Sequence, residues 1–164
     1  MSRLAPNSEA IWSRTGSYTW FQVYTKSLQY AQFYLEQGIR SKDIVAFYLT
    51  NSPEFVLAWL GLWAIGCAPA LINFHLSGEA LIHCVKLTGS KMILVDWDEE
   101  CRARVEESRL ELEKIGIKIV VLDDAVKQHI DVLQPTRPPD SYRSGLRTRD
   151  PGFLLFTRYV RSRQ

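Results

Sequence analysis

The apolar positions of this chain fall into two rhythms that take turns along its length. After residues 18–20, which suit a short strand, Phe21, Tyr24, Leu28, Ala31 and Leu35 recur at helical spacing and Gly38 stops the run. Residues 43–49 are then almost continuously apolar over strand length, as expected of a parallel strand covered on both faces. Asn51-Ser52-Pro53-Glu54 opens a second helix with a capping hydroxyl, a proline at the first helical position and an acid in the first turn, and Gly66 closes it. Residues 67–72 read as a strand, Ser77 and Glu79 start a third helix ended by Gly89, and residues 92–95 form a strand that stops at Asp96. From 98 to 115 one helix is expected, with Cys101, Val105, Leu112 and Ile115 on a single face and Glu100 paired to Arg104 one turn on. Residues 117–122 give another strand, and Asp123-Asp124 caps a helix reaching about Leu133.

This alternation predicts an α/β fold, with βα units forming part of a doubly wound parallel sheet joined by right-handed crossovers. The chain divides into an irregular segment 1–16, an α/β unit 17–133, an exposed Pro/Arg-rich connector 134–149, a terminal strand 150–157 and a basic tail 158–164. Residues 55–72 pass without a charge, which is long enough to span a bilayer. Gly66 and Pro69 interrupt that run, and a buried helix followed by a strand is the preferred reading.

A composition of 46% hydrophobic and 12% aromatic residues supplies enough apolar area for a core, so a disordered chain is excluded. Twenty basic against 18 acidic side chains leave a net charge of only +2, and nucleic acid is not an expected partner. Cys67, Cys84 and Cys101 form no Cys-x-x-Cys pair and no metal-ligand spacing; they read as reduced intracellular thiols packed as small apolar groups. The first residues lack the basic and apolar regions of a secretory signal.

Several strings carry a resemblance. They are Ser17-Tyr18-Thr19-Trp20 with Gln37-Gly38-Ile39; Asn51-Ser52-Pro53-Glu54-Phe55 with the run from Gly61 to Asn73; His83-Cys84; the run from Lys91 to Asp96; and Arg137-Pro138-Pro139-Asp140 leading to Asp150-Pro151. Together they resemble the adenylate-forming (AMP-binding) acyl-CoA synthetase superfamily, in its fatty acid transport protein and very-long-chain acyl-CoA synthetase branch. The resemblance implies ATP-dependent activation of a fatty acid through an acyl-adenylate, followed by transfer to CoA, with Mg²⁺ as the metal. It also implies membrane association in the full-length family, at the endoplasmic reticulum, peroxisome or lipid droplet.

That family's phosphate loop resembles Thr-Ser-Gly-Thr-Thr-Gly, and here Thr157 alone matches before Arg158. No glycine follows Gly152, so no backbone free of Cβ is offered to phosphate oxygens. The expectation is a truncated ligase, inactive alone, with no catalytic residue, no metal ligand and no cofactor bound by this chain. The alternative is a non-catalytic α/β module that associates with a full-length ligase or a lipid surface, and contact with a chaperone is a further expected partnership.

Within the array, Asn73 and His75 are the substrate-cleft candidates, because they follow a strand's carboxyl end, where open α/β sheets place ligands; a plain turn is the competing reading. Asp96 reads as a ribose-holding acid or, preferably, a strand-terminal turn residue. Gly61 and Gly66 have the spacing of P-loop glycines, but Cys67 stands where lysine belongs. His83 is expected to be packed and hydrogen-bonded rather than a base. The basic tail reads as a phosphate or membrane contact or, preferably, as an arbitrary end.

Overall fold

The structure, a computed structural model, describes residues 5–14 and 16–155. Thr157, Phe156 and the basic tail lie outside the described residues. The expected α/β architecture is present as a five-stranded parallel sheet in the order β6-β5-β3-β4-β7. Its strands are β3 (Ile44–Tyr48), β4 (Ala68–Leu71), β5 (Met92–Val95), β6 (Lys118–Val121) and β7 (Leu154–Leu155). The helices between them are α1 (Trp20–Glu36), α2 (Pro53–Ala64), α3 (Gly78–Thr88), α4 (Glu99–Glu107), α5 (Arg109–Lys114), α6 (Asp124–Val132) and the short α7 (Ser141–Ser144). The segment expected to be irregular instead forms β1 (Glu9–Ser13), antiparallel to β2 (Gly16–Thr19).

Alternate residues of the central strands feed two separate cores, which is the physical content of double winding. Val45, Phe47, Met92 and Leu94 face α1, α2 and α6, while Ala46, Tyr48, Ile93 and Val95 face α3, α4 and α5. The uncharged run from 55 to 72 is spent on α2, the turn after it and β4. No helix of the described residues is long and apolar enough to cross a membrane.

The starts of α2 and α6 follow the caps read from sequence, and α1 carries one at Thr19 that was not read. The Thr19 side chain accepts from Gln22 N–H while the Gln22 side chain accepts from Thr19 N–H, a reciprocal capping box. Ser52 caps α2 and Asp123 caps α6 in the same sense. Gly66 stands at φ +72 after α2, and a Cβ there would strike the Tyr142 carbonyl oxygen, so both backbone conformation and space require glycine.

Three expectations are corrected. Leu28 and Ala31 are buried as expected, but Phe21 and Tyr24 are exposed, and α1 buries Val23, Ser27, Tyr30 and Tyr34 beside the first two. The sequence offers apolar side chains in two helical registers, and the one facing α2 is chosen by close packing on Gly61. The stretch 98–115 is two helices, interrupted at Ser108, whose N–H bonds back three residues to Val105. Ile115 is exposed and Ile117 takes its place in the core.

The connector 134–149 is not merely exposed chain. Pro138 is buried, Arg143 donates to the Ala64 carbonyl at 2.5 Å, Ser41 Oγ donates to Tyr142 O at 2.6 Å, and Gln32 reaches Thr136 O at 2.6 Å. It straps the body before the chain delivers β7 to the sheet edge beside β4.

Candidate functional site at the carboxyl ends of the strands

The neighbouring strands β3 and β4 send their following helices to opposite faces of the sheet, so a crevice opens beyond their carboxyl ends. Residues 49–52 leave β3, residues 72–77 leave β4, and Asp96 to Asp98 leave β5 at the same end of the sheet.

Asp96 is the organising group. Its Oδ2 accepts from Thr50 N–H at 2.9 Å and from Thr50 Oγ1–H at 2.6 Å, and its Oδ1 accepts from Asp98 N–H at 3.1 Å. Burial alone would raise its pKa, but these hydrogen bonds, with the charge of Lys127, outweigh burial and hold the carboxyl below the ordinary aspartate value. The carboxylate therefore ties the end of β5 to the loop that starts α2. This is the turn role preferred from sequence; its partner Thr50, 46 residues away, was not read, although it directly follows a predicted strand as Asp96 ends another.

The 72–77 loop is pinned from below. Asn73 Oδ1 accepts from His75 N–H at 3.0 Å, a local turn made by its own side chain. Tyr48 Oη–H donates to Leu76 O at 2.5 Å, and Arg104 donates to Phe74 O at 2.9 Å while pairing with Glu100 at 2.5 Å. The Glu100 pair was legible from spacing; the second hand of Arg104 was not. Burial pushes the Tyr48 phenol up to about 12, with Arg104 pulling the other way. Asn73 and His75 thus both lie exposed at the crevice, with the His75 ring 4.3 Å from that of Phe74. The structure brings them together with each other, and Tyr48 and Arg104 hold the backbone that carries them.

The other candidates lie elsewhere. His83 is exposed on α3, against the expectation of a packed histidine. Gly61 sits inside α2 against α1. The Cys67 thiol is buried and donates to Arg40 O at 2.9 Å; burial pushes it up to about 12, as it does Cys101. All three cysteines are free.

The described residues do not fit a complete nucleotide site. Asp96 is engaged by three donors of the protein itself, and no group of three or more His, Cys, Asp or Glu suited to a metal ion occurs among the described residues. At the N-terminus of α2 the Ser52 side chain accepts from Phe55 N–H, whereas Ser77 makes no side-chain cap on α3. No chemical step through ATP or a metal ion is therefore derived from these residues.

Comparison with known proteins adds what geometry leaves open. A family model described as "AMP-binding enzyme" matches residues 2–157. The chain is 38% identical over 117 residues, 71% of its length, to isopenicillin N epimerase component 1 of Hapsidospora chrysogena, and covers 19% of that protein. It is 28% identical over 165 residues, 95% of its length, to long-chain fatty acid transport protein 2 of Rattus norvegicus, and covers 26% of that one. It thus spans about a fifth to a quarter of the length of these curated relatives. Among solved structures, a Mycobacterium tuberculosis fatty acyl CoA synthetase superposes with a TM-score of 0.76 at 18% identity, over 88% of this chain and 28% of the other. That likeness is one of fold.

Proposed function

We propose, from the premise that this chain belongs to the AMP-binding enzyme family, that it forms the first α/β layer of a fatty acid–CoA ligase of the fatty acid transport protein type. In this reading the whole protein activates long- or very-long-chain fatty acids with ATP and Mg²⁺ and passes the acyl group to CoA at an intracellular membrane. The chain's own part is structural: it presents the 72–77 loop, with Asn73 and His75, toward the substrate cleft. The supporting observation is the pinned loop beyond β4, held rigid by Tyr48 and Arg104 where a doubly wound sheet receives its ligand.

The 164-residue polypeptide does not form acyl-adenylate in this proposal. Transfer at a phosphoryl group needs positioned donors and charge, worth several kcal/mol of barrier. After Thr157 the sequence offers Arg-Tyr-Val-Arg-Ser-Arg-Gln rather than glycines. Fatty-acid-dependent ATP–pyrophosphate exchange by the purified chain tests this directly. No exchange above a heat-killed control is expected, and exchange that depends on both fatty acid and Mg²⁺ overturns it.

One observation favours a second reading, a non-catalytic module. Each face of the sheet has its own cluster of buried apolar residues within residues 5–155. A cooperative melt of the soluble chain together with a stoichiometric complex with a full-length ligase supports the module; a chain that neither melts cooperatively nor binds the ligase removes it.

A further inference from the structure

The strap that ends in β7 is attached to the body differently along its two halves. As far as Pro138 it is fixed: Gln29 Nε2 donates to Asp131 O at 2.6 Å and to Leu133 O at 3.2 Å, Gln32 Nε2 donates to Thr136 O at 2.6 Å, and Pro138 itself is buried. Beyond it, no residue from 139 to 155 is buried. That stretch is held mainly by polar contacts. Arg143 donates to Ala64 O, Ser41 Oγ donates to Tyr142 O, Trp63 Nε1 donates to Gly152 O at 2.8 Å, and Lys42 Nζ stands 3.5 Å from the Asp150 carboxylate. β7 adds only two residues of pairing to β4.

The stretch covers a seam in the body. Between it and the C-terminus of α2 lies a cavity of about 240 Å³, walled by Trp63, Gly66 and Cys67 on one side and by Leu146, Pro151 and Gly152 on the other. Cys67 is 4% exposed beneath this cover, and a Cβ on Gly66 would stand 2.3 Å from Tyr142 O, so the cover seats directly on glycine. Few buried apolar contacts and solvent-exposed hydrogen bonds mark a segment that opens well below the global unfolding free energy. The strands behind it are the reverse: Val45, Phe47, Met92 and Leu94 are 1% exposed or less, so an opening that starts in the strap stops at the sheet.

We propose that residues 139–155 are a latch that opens as one unit about Pro138, lifting β7 from β4 and uncovering the cavity at Cys67 while the α/β body stays folded. Because β7 runs parallel to β4 and Leu155 pairs with Leu71, the shut latch places the end of β7 beside the 72–77 loop, and the open latch withdraws it. The crevice is thus completed or dismantled by contacts made at the opposite end of the strands, where Lys42 precedes β3 and Gly66 precedes β4.

The test is maleimide labelling of the 164-residue chain, with the modified thiols located by mass spectrometry, over a series of urea concentrations below the unfolding transition. In the unmodified chain Cys67 is expected to label slowly, at a rate that barely rises with urea, because opening the latch exposes little surface, whereas a thiol reached only by global unfolding follows the full slope. Trp63→Phe deletes the bond to Gly152 near one end of the latch, and Arg143→Gln deletes the bond to Ala64 near the other. Each should speed Cys67 by about two- to tenfold, the worth of one hydrogen bond, and leave Cys101, buried in the opposite core, unchanged. Cys67 labelling that follows the global slope in the unmodified chain overturns the proposal even if both variants fail to fold. So does an unchanged Cys67 rate in either folded variant, or an equal rise at Cys101, which marks a loss of global stability instead.

Discussion

Replacing Gly61 by alanine sets two physical effects of opposite sign against each other, and the structure says which prevails. On an isolated helix the change is favourable by about 1 kcal/mol, because alanine is the better helix former. In α2, however, the added Cβ would stand 2.6 Å from Tyr30 Cβ, 3.0 Å from Ser27 O and 3.1 Å from Ala31 N. None of these is the movable end of a long side chain. Carbon atoms rest about 3.5–4.0 Å apart, so α1 and α2 must separate by roughly 1 Å at their crossing. A gap of that size forfeits about a quarter to a half of each neighbouring contact. The neighbours are Tyr30, Ala31, Leu57, Ala58 and Leu62, all 3% exposed or less. Overpacking of this kind costs about 1–3 kcal/mol, and the lost contacts add to it, so Gly61→Ala is expected to destabilise by about 1–2 kcal/mol after the propensity gain. Urea unfolding followed by tryptophan fluorescence reads this out, with an unchanged slope and a lower midpoint. The thermal midpoint should fall by about 2–8 °C for a chain of this size. A midpoint that rises, by the amount propensity alone supplies, refutes the argument that glycine is there to let the helices touch.

Other outcomes follow from the same geometry. Asp96→Asn keeps the shape but loses the charge that three donors recognise, and should cost about 1.5–3 kcal/mol at neutral pH. Because the folded carboxyl sits below its ordinary pKa, the stability it provides is present above the unfolded value near pH 4 and is lost as pH falls through the folded one. The variant's unfolding free energy should therefore change less with pH below about 4 than the parent's; parallel curves in a pH series of urea melts count against this. Thiol labelling at neutral pH should modify Cys84 first, since Cys67 and Cys101 are buried with pKa values pushed up to about 12, and all three should react in denaturant. Rapid native labelling of Cys67, located by mass spectrometry, contradicts the packing described.

What the sequence made legible, it did through local signals. The strands at 43–49, 92–95 and 117–122 are short apolar runs bounded by polar or turn residues, and the caps at Ser52 and Asp123 sit where hydroxyl and carboxylate should sit. The face of α1 was misread because Phe21 and Tyr24 form a plausible stripe of their own; only the partner helix, with its glycine, decides which stripe is buried. The docking of the connector was invisible for a related reason. Its bonds go to backbone carbonyls of Ala64 and to Ser41, about a hundred or fewer positions away, and a carbonyl carries no sequence signature. At the crevice, Asn73 and His75 could be placed from the strand that precedes them. Tyr48 and Arg104 could not, since each was fully explained as core or as a surface ion pair until the 72–77 loop came into view.

The position of β7 beside β4 also has a meaning in time. Ala70 pairs with Leu154 and Leu71 with Leu155, each 84 residues later in the chain, while the partners in the other strand pairs of this sheet are nearer. At a synthesis rate of about 5–20 residues per second, the flank of β4 stays bare for roughly 4–17 seconds after it leaves the ribosome. During that interval the nascent sheet is a sticky template, and chaperone occupancy should peak there and fall once residue 155 emerges.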